Sequence, residues 1–180
     1  MTHSTMPNRR LFLGGVAALA LAGCGEGVGR TRDEASEGAA TVSVSDTEAW
    51  SLSEAEWRER LTPEQFHVLR KEGTERAGSS PLDREYRTGT FHCAGCDLPL
   101  FASGMKFDSG TGWPSFYDVI DGAVGTKRDF KLILPRTEYH CARCGGHQGH
   151  VFKDGPAPTG LRYCNNGVAL RFAPADEAAG

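Results

Sequence analysis

The chain has 180 residues, 39% of them hydrophobic, with a formal charge of −3 and six cysteines, so it holds material for one folded core. No basic run is present, which argues against nucleic acid as a partner.

The first 23 residues read as an address. Asn8-Arg9-Arg10-Leu11-Phe12-Leu13 resembles a twin-arginine export signal, and Leu11 to Ala22 is apolar over only twelve residues. A spanning helix needs roughly 20 such residues, so this is a signal-peptide core and not a membrane anchor by itself. It closes on Leu21-Ala22-Gly23-Cys24, which resembles a bacterial lipobox whose cysteine is acylated and becomes the new N-terminus. The alternative is a plain signal peptide with Cys24 an ordinary residue near the cut. The lipoprotein reading places the folded part in the cell envelope, tethered by Cys24 to the extracytoplasmic face of a bacterial membrane.

Residues 24–50 are Gly, Ala, Ser, Thr and acidic residues with almost no large apolar side chain, and this composition predicts a disordered tether. Its root-mean-square reach would be roughly 30 Å. Residues 51–180 form the predicted domain. Ser53-Glu54-Ala55-Glu56 reads as a capping box, with Leu52 able to staple onto Trp57. Thr62-Pro63-Glu64-Gln65 is a second box with proline at the first helical position, and Gly73 is the expected stop. After Thr88 the pattern turns to short segments separated by Gly, Pro and Asp: Gly89–Cys93, Leu98–Ala102, Phe130–Leu134, Glu138–Ala142, Val151–Phe152, Arg162–Asn165 and Val168–Ala173. That is antiparallel β spacing, with no room for crossover helices.

Cys93-Ala94-Gly95-Cys96 and Cys141-Ala142-Arg143-Cys144 are separated by 44 residues. Each pair can turn both sulfurs toward one point, and two such knuckles complete a tetrahedral shell of four cysteines. Gly95, Gly145 and Gly146 suit tight knuckle turns. Zinc, a rubredoxin-like iron and two disulfides all satisfy this spacing. A closed shell has no open position, so its role is structural.

Cys164 stands apart, in Arg162-Tyr163-Cys164-Asn165-Asn166. On an extended strand Arg162, Cys164 and Asn166 share a face while Tyr163 and Asn165 turn away. A guanidinium beside a thiol favours the thiolate and makes the cysteine a nucleophile. Upstream, the Gly-rich stretch His147-Gln148-Gly149-His150-Val151-Phe152-Lys153-Asp154 supplies two imidazoles able to move protons near neutral pH. Taken singly, each feature has a bland reading: an inert buried thiol, backbone-satisfying histidines, a core Trp113, a turn Asp154.

FDSGTGWPSF (107–116), HCARCGGHQGHVFKDGPAPTGLRYCNN (140–166) and LTPEQFHVLRKEGTERA (61–77) together resemble the methionine-R-sulfoxide reductase B family over about residues 54–173. The resemblance implies a mainly β fold of two antiparallel sheets with short N-terminal helices, and one structural zinc on Cys93, Cys96, Cys141 and Cys144. It also implies Cys164 as nucleophile, with His147, His150, Asp154, Arg162 and Asn166 as its polar set. Trp113 would receive the substrate methyl group, with Phe152 beside it. The chemistry agrees: a sulfoxide has an apolar S-methyl end and a polar S=O, so its pocket needs an aromatic face opposite proton donors. Attack by Cys164 while a His150 imidazolium protonates the oxygen would leave a sulfenic acid.

Two departures from the family stand out. The position of a resolving cysteine is Thr111, so an external thiol, a thioredoxin-like domain or a small molecule, is expected to regenerate Cys164. Gly167 stands where serine is common and is expected to loosen the turn after Asn166. The implied partners are oxidised-methionine proteins or peptides, that thiol and a membrane surface, with the chain a monomer. Two other readings remain at this point: a non-catalytic ligand-binding zinc domain, and a hydrolase with a second metal on His147, His150 and Cys164.

Overall fold

The computed structural model describes residues 42–131 and 135–175. The expected signal peptide, Cys24 and most of the tether lie outside these residues. Within them, no helix is long and apolar enough to cross a membrane.

Three short helices lead into nine strands: α1 (Val44–Ala49), α2 (Glu54–Arg60), α3 (Pro63–Lys71), β1 (Gly89–Cys93), β2 (Pro99–Ala102), β3 (Lys106–Phe107), β4 (Ser115–Phe116), β5 (Val124–Asp129), β6 (Arg136–Cys141), β7 (His147–Phe152), β8 (Arg162–Asn165) and β9 (Leu170–Pro174). Helix α1 falls within the last residues of the expected tether. Ser43 and Asp46 close a capping box there, and Trp50 stacks on Trp57 at 6.0 Å, burial that a composition average overlooks. The boxes at Ser53/Glu56 and Thr62/Gln65 form as expected. Helix α3 stops one residue before Gly73, at Glu72, whose φ of 53° is left-handed.

The strands make two antiparallel sheets, in the orders β2-β1-β9 and β3-β4-β8-β7-β6-β5. Aromatic rings fasten one sheet to the other. Phe101 stacks on Phe116 at 4.0 Å, Phe91 meets Phe116 edge-on at 5.0 Å, and Phe101 meets Tyr139 edge-on at 6.3 Å. Phe91, Phe101, Phe116 and Tyr139 are fully buried, so this seam carries much of the apolar burial.

Strand β5, with the sequence VGTKRD, has no apolar alternation because it is a solvent-facing strand paired only with β6. The expected strand at Phe130–Leu134 is not found at Phe130 or Lys131, which lie outside strands; Leu132 to Leu134 are outside the described residues. His147–Gly149, at the start of the Gly-rich stretch, is strand, and the glycine is what permits it. A Cβ on Gly149 would sit 1.9 Å from the Cys164 carbonyl oxygen, so only glycine lets β7 pair with β8 there.

Candidate active site and metal centre

The two CxxC knuckles share one hydrogen-bond pattern. Cys93 N–H donates to Leu98 O while Asp97 N–H donates to Cys93 O, and Cys141, Gly146 and Gly145 repeat this, all at 2.9 Å. The residue after each knuckle is left-handed, Asp97 with φ 62° and Gly145 with φ 67°. All four sulfurs lie within 4.8 Å of one another. The Cys93–Cys144 and Cys96–Cys141 separations are 3.7 and 3.4 Å. A tetrahedral shell with metal–sulfur bonds near 2.3 Å puts sulfurs about 3.8 Å apart. The donor set therefore fits a four-coordinate thiophilic ion and not a pair of disulfides. Contact with Cys141 pushes the Cys93 thiol well up, as it does Cys144, because crowded sulfurs cannot all carry charge without a cation. Helix α3 covers the centre: Arg70 donates to Cys144 O at 2.8 Å and lies over Trp57. Gln148 donates to Cys93 Sγ at 3.3 Å.

On the larger sheet, strand register assembles the other site. Ser115 of β4 pairs with Cys164 of β8, Cys164 with His150 of β7, His150 with Glu138 of β6, and Glu138 with Lys127 of β5. Residues directly opposite share a face, so these five side chains form one row across the sheet. Phe116 and Tyr163, one step along, face the aromatic seam instead.

Cys164 lies in a cleft of about 140 Å³ lined by Trp113, His150, Phe152, Arg136, Asn166 and Thr74, among others. A cleft of that size admits the end of a side chain. Trp113 is held by its indole N–H, which donates to Glu75 O at 3.2 Å. Arg162 forms a two-pronged pair with Asp154 at 2.9 and 2.8 Å, and its guanidinium lies 4.5 Å from the centre of the Phe152 ring. Asp154 thus acts through Arg162, and Phe152 is both cleft wall and platform.

Residues 61–174 match the SelR domain. The chain belongs to the SelR-domain family. It is 54% identical over 123 residues to the peptide methionine sulfoxide reductase MsrB of Agrobacterium fabrum, covering 68% of this chain and 91% of that protein. The MsrB proteins of Methanosarcina barkeri and Pseudomonas putida are 55% and 56% identical, over 69% and 68% of this chain and 89% and 93% of theirs.

In this SelR domain each histidine is held by a carboxylate that sequence inspection did not single out. His147 Nδ1 lies 2.9 Å from Glu138, whose other oxygen meets Lys127 at 3.1 Å. His150 Nε2 lies 2.8 Å from Asp129, which also accepts from Arg136 at 2.6 Å and from the Lys131 N–H at 2.9 Å. A carboxylate can only accept, so those ring nitrogens carry the hydrogens and the opposite nitrogens are bare acceptors. Burial lowers the pKa of both rings, against the opposing pull of Glu138 and Asp129. Burial thus favours a neutral His150 over the expected imidazolium, with Asp129 pulling the other way.

Burial acts on the Cys164 thiol in the same sense, against its charged form. Arg162 favours the thiolate, as does the Thr111 hydroxyl, but burial outweighs both and raises the Cys164 pKa. Asn166 lies just after β8, and its side chain is committed to backbone groups, donating to Gln148 O at 2.9 Å and accepting from Glu75 N–H at 3.0 Å. The next residue is not loosened. Gly167 N–H donates to the Glu75 carboxylate at 2.6 Å, and a Cβ there would lie 2.1 Å from Ser80 Oγ. Ser80 fills the space a side chain at 167 would need.

Among the described residues the four knuckle cysteines are the one grouping with metal-ligand geometry. His147 and His150 face carboxylates instead, so the second-metal hydrolase has no site among these residues.

Proposed function

We propose that this protein reduces the R epimer of peptide-bound methionine sulfoxide, with Cys164 as nucleophile and an external thiol as reductant. Membership of the SelR-domain family supports methionine sulfoxide reduction. The observation that carries the finer reading is the meeting of Cys164, Trp113 and His150 in a cleft sized for one side-chain end.

The Cys164 sulfur attacks the sulfoxide sulfur. The oxygen passes to Cys164, the thiol proton ends on that oxygen, and methionine leaves as a thioether; Cys164 is oxidised to a sulfenic acid by two electrons and the substrate reduced by two. No outside proton is consumed, which suits a thiol whose charged form burial opposes. Arg136 borders the cleft, and its Nε–H is buried without a partner. It is the donor we assign to the sulfoxide oxygen as charge grows there, while neutral His150 accepts and returns the thiol proton. Trp113 takes the methyl group. With methyl, oxygen and attacking sulfur each fixed, one epimer alone presents its sulfur correctly, and the B-type motifs point to R.

A first external thiol then forms a disulfide with Cys164 and releases water, and a second releases Cys164. This follows from Thr111: among the described residues the other four cysteines are gathered at the metal centre. Zinc is the ion we assign there, where it would hold the two knuckles and the helices over them. The N-terminal pattern supports export and acylation at Cys24, hence action on oxidised proteins at the envelope. The test is reduction of separated R and S sulfoxides with dithiothreitol. R-specific turnover that is lost in Cys164→Ser, with fold and metal retained, is expected; equal turnover of S, or activity in Cys164→Ser, would sink the assignment.

A further inference from the structure

Between α3 and β1 the chain contributes Thr74 to the wall of the cleft. The next residue, Glu75, is bonded through every polar group it has. Its backbone carbonyl accepts from the Trp113 indole N–H at 3.2 Å, and its backbone N–H donates to Asn166 Oδ1 at 3.0 Å. Its carboxylate accepts from the Gly167 N–H at 2.6 Å and the Val168 N–H at 2.9 Å, one oxygen to each. A little further along, Gly78 N–H donates to Gly112 O at 2.7 Å. Trp113 is thus held at its indole and at the peptide before it by one short stretch of chain.

Glu75 belongs to no helix or strand, so no ladder of its own fixes its place. The carboxylate does this, by docking on the start of the 3-10 turn Gly167–Ala169, the residues that follow Asn166. Two adjacent N–H groups need two acceptors, and a carboxylate supplies both. An amide of the same length offers one oxygen and turns a donor on the other N–H. Trp113 and Asn166 both line the cleft, and they are joined through this one residue.

We propose that Glu75 is a positioning residue that sets Trp113 against Asn166 and so fits the cleft to a methyl group in preference to a longer S-alkyl chain. This deepens the proposed function and rests on Trp113 receiving the substrate methyl. Glu75 touches no reacting atom and acts through the two walls it joins. A wall tied in this way cannot yield to one more methylene without giving up a hydrogen bond, and a methylene forced into a packed site is costly.

The test has two readings on the full-length, metal-bound chain. The first needs no sulfoxide. In the 15N-labelled protein the Trp113 indole signal is the one missing from Trp113→Phe. Glu75→Gln and Glu75→Ala should shift that signal and speed its exchange with water by about tenfold, as one hydrogen bond is weakened, while the Trp50 and Trp57 signals stay. The second is the ratio of kcat/KM for the R sulfoxides of methionine and of its S-ethyl analogue, with dithiothreitol. Loss of folded enzyme lowers both alike and leaves the ratio unchanged, whereas a loosened wall lowers the ratio. It should fall by about tenfold in Glu75→Ala, and by less in Glu75→Gln, which keeps one accepting oxygen. Where Glu75→Ala fails to fold, Glu75→Gln carries both readings. An unmoved Trp113 signal, or an unchanged ratio in an active variant, would overturn the proposal. If the Trp113 signal moves but the wild-type chain reduces neither sulfoxide, the proposed function fails and the methyl fit with it, while the hold of Glu75 on Trp113 stands.

Discussion

Asp129→Asn separates what Asp129 does for the fold from what it does for the reaction. The carboxylate is nearly buried, with 7% of the residue exposed, and it accepts three hydrogen bonds, from the His150 ring, Arg136 and the Lys131 N–H. The amide keeps the shape, loses the charge and can turn a donor toward His150 Nε2. Losing charge-assisted acceptance from two side chains, one of them partly solvated, should destabilise the domain by about 2 kcal/mol. For a domain of this size that lowers Tm by roughly 6–10 °C. If Asp129 sets which nitrogen of His150 is bare, kcat/KM should fall by about 10–100-fold, or about 1.4–2.7 kcal/mol of barrier. The pH profile carries an independent sign. The Asp129 bond raises the His150 pKa against burial, so removing it lowers that pKa further, and the acid limb of the rate should move to lower pH. The assay is R-sulfoxide reduction with dithiothreitol from pH 5 to 9, beside a thermal melt of the same sample. A folded variant within twofold of wild type, with an unmoved acid limb, would refute the assignment of His150 as proton carrier.

Arg136→Met should lower kcat by about 10-fold or more with a smaller change in KM, because its donor is used as charge develops on oxygen; a change confined to KM would show that it only binds. Replacing any one of Cys93, Cys96, Cys141 or Cys144 by serine should release the metal, measured by elemental analysis, and destabilise the domain by about 3 kcal/mol or more; a metal-free variant melting at the wild-type temperature contradicts this. His140, His147 and His150 all have folded pKa values below the ordinary imidazole value through burial, so folding favours their neutral forms. Their contribution is complete above about pH 6.5 and is lost as pH falls, with a slope of up to about 1.4 kcal/mol per pH unit for each proton. Melts from pH 7.5 to 5 should show it, and His147→Gln should make the slope shallower.

Much of this was legible wherever chemistry and spacing were local. Both capping boxes, β1, β8 and the four metal ligands could be read from contiguous residues. What could not be read depends on register between distant strands. Asp129 sits at the end of a charged strand, and Glu138 alternates with ordinary polar residues; nothing local separates them from surface carboxylates. Only the pairing of β6 with β7 and the turn after β5 bring them to the imidazoles. The signs of the pKa shifts were hidden for a related reason. Arg162 beside Cys164 is visible in sequence, but the burial that outweighs it arises only in the folded chain. Glu75, which clamps Trp113, Asn166 and Gly167 together, reads as one more charge after a helix.

The metal centre and the cleft are tied by that same register. The second knuckle is the turn of the β6–β7 hairpin: Cys141 ends β6, and His147 opens β7 two residues after Gly145. The pairing shifts between Tyr139 and His140, so the strand is irregular next to the residue that must face His150. A slip of one residue would turn Glu138 and His150 to the opposite face. Two sulfurs of the shell lie on this turn and two on the other knuckle, so a bound ion fixes where the hairpin begins. Gln148, donating to Cys93 Sγ, and Asn165, bonded to both Gln148 and the Tyr139 hydroxyl, carry that constraint to the residue beside Cys164. The second knuckle is in this way continuous with the register, and the register sets the row from Ser115 to Lys127.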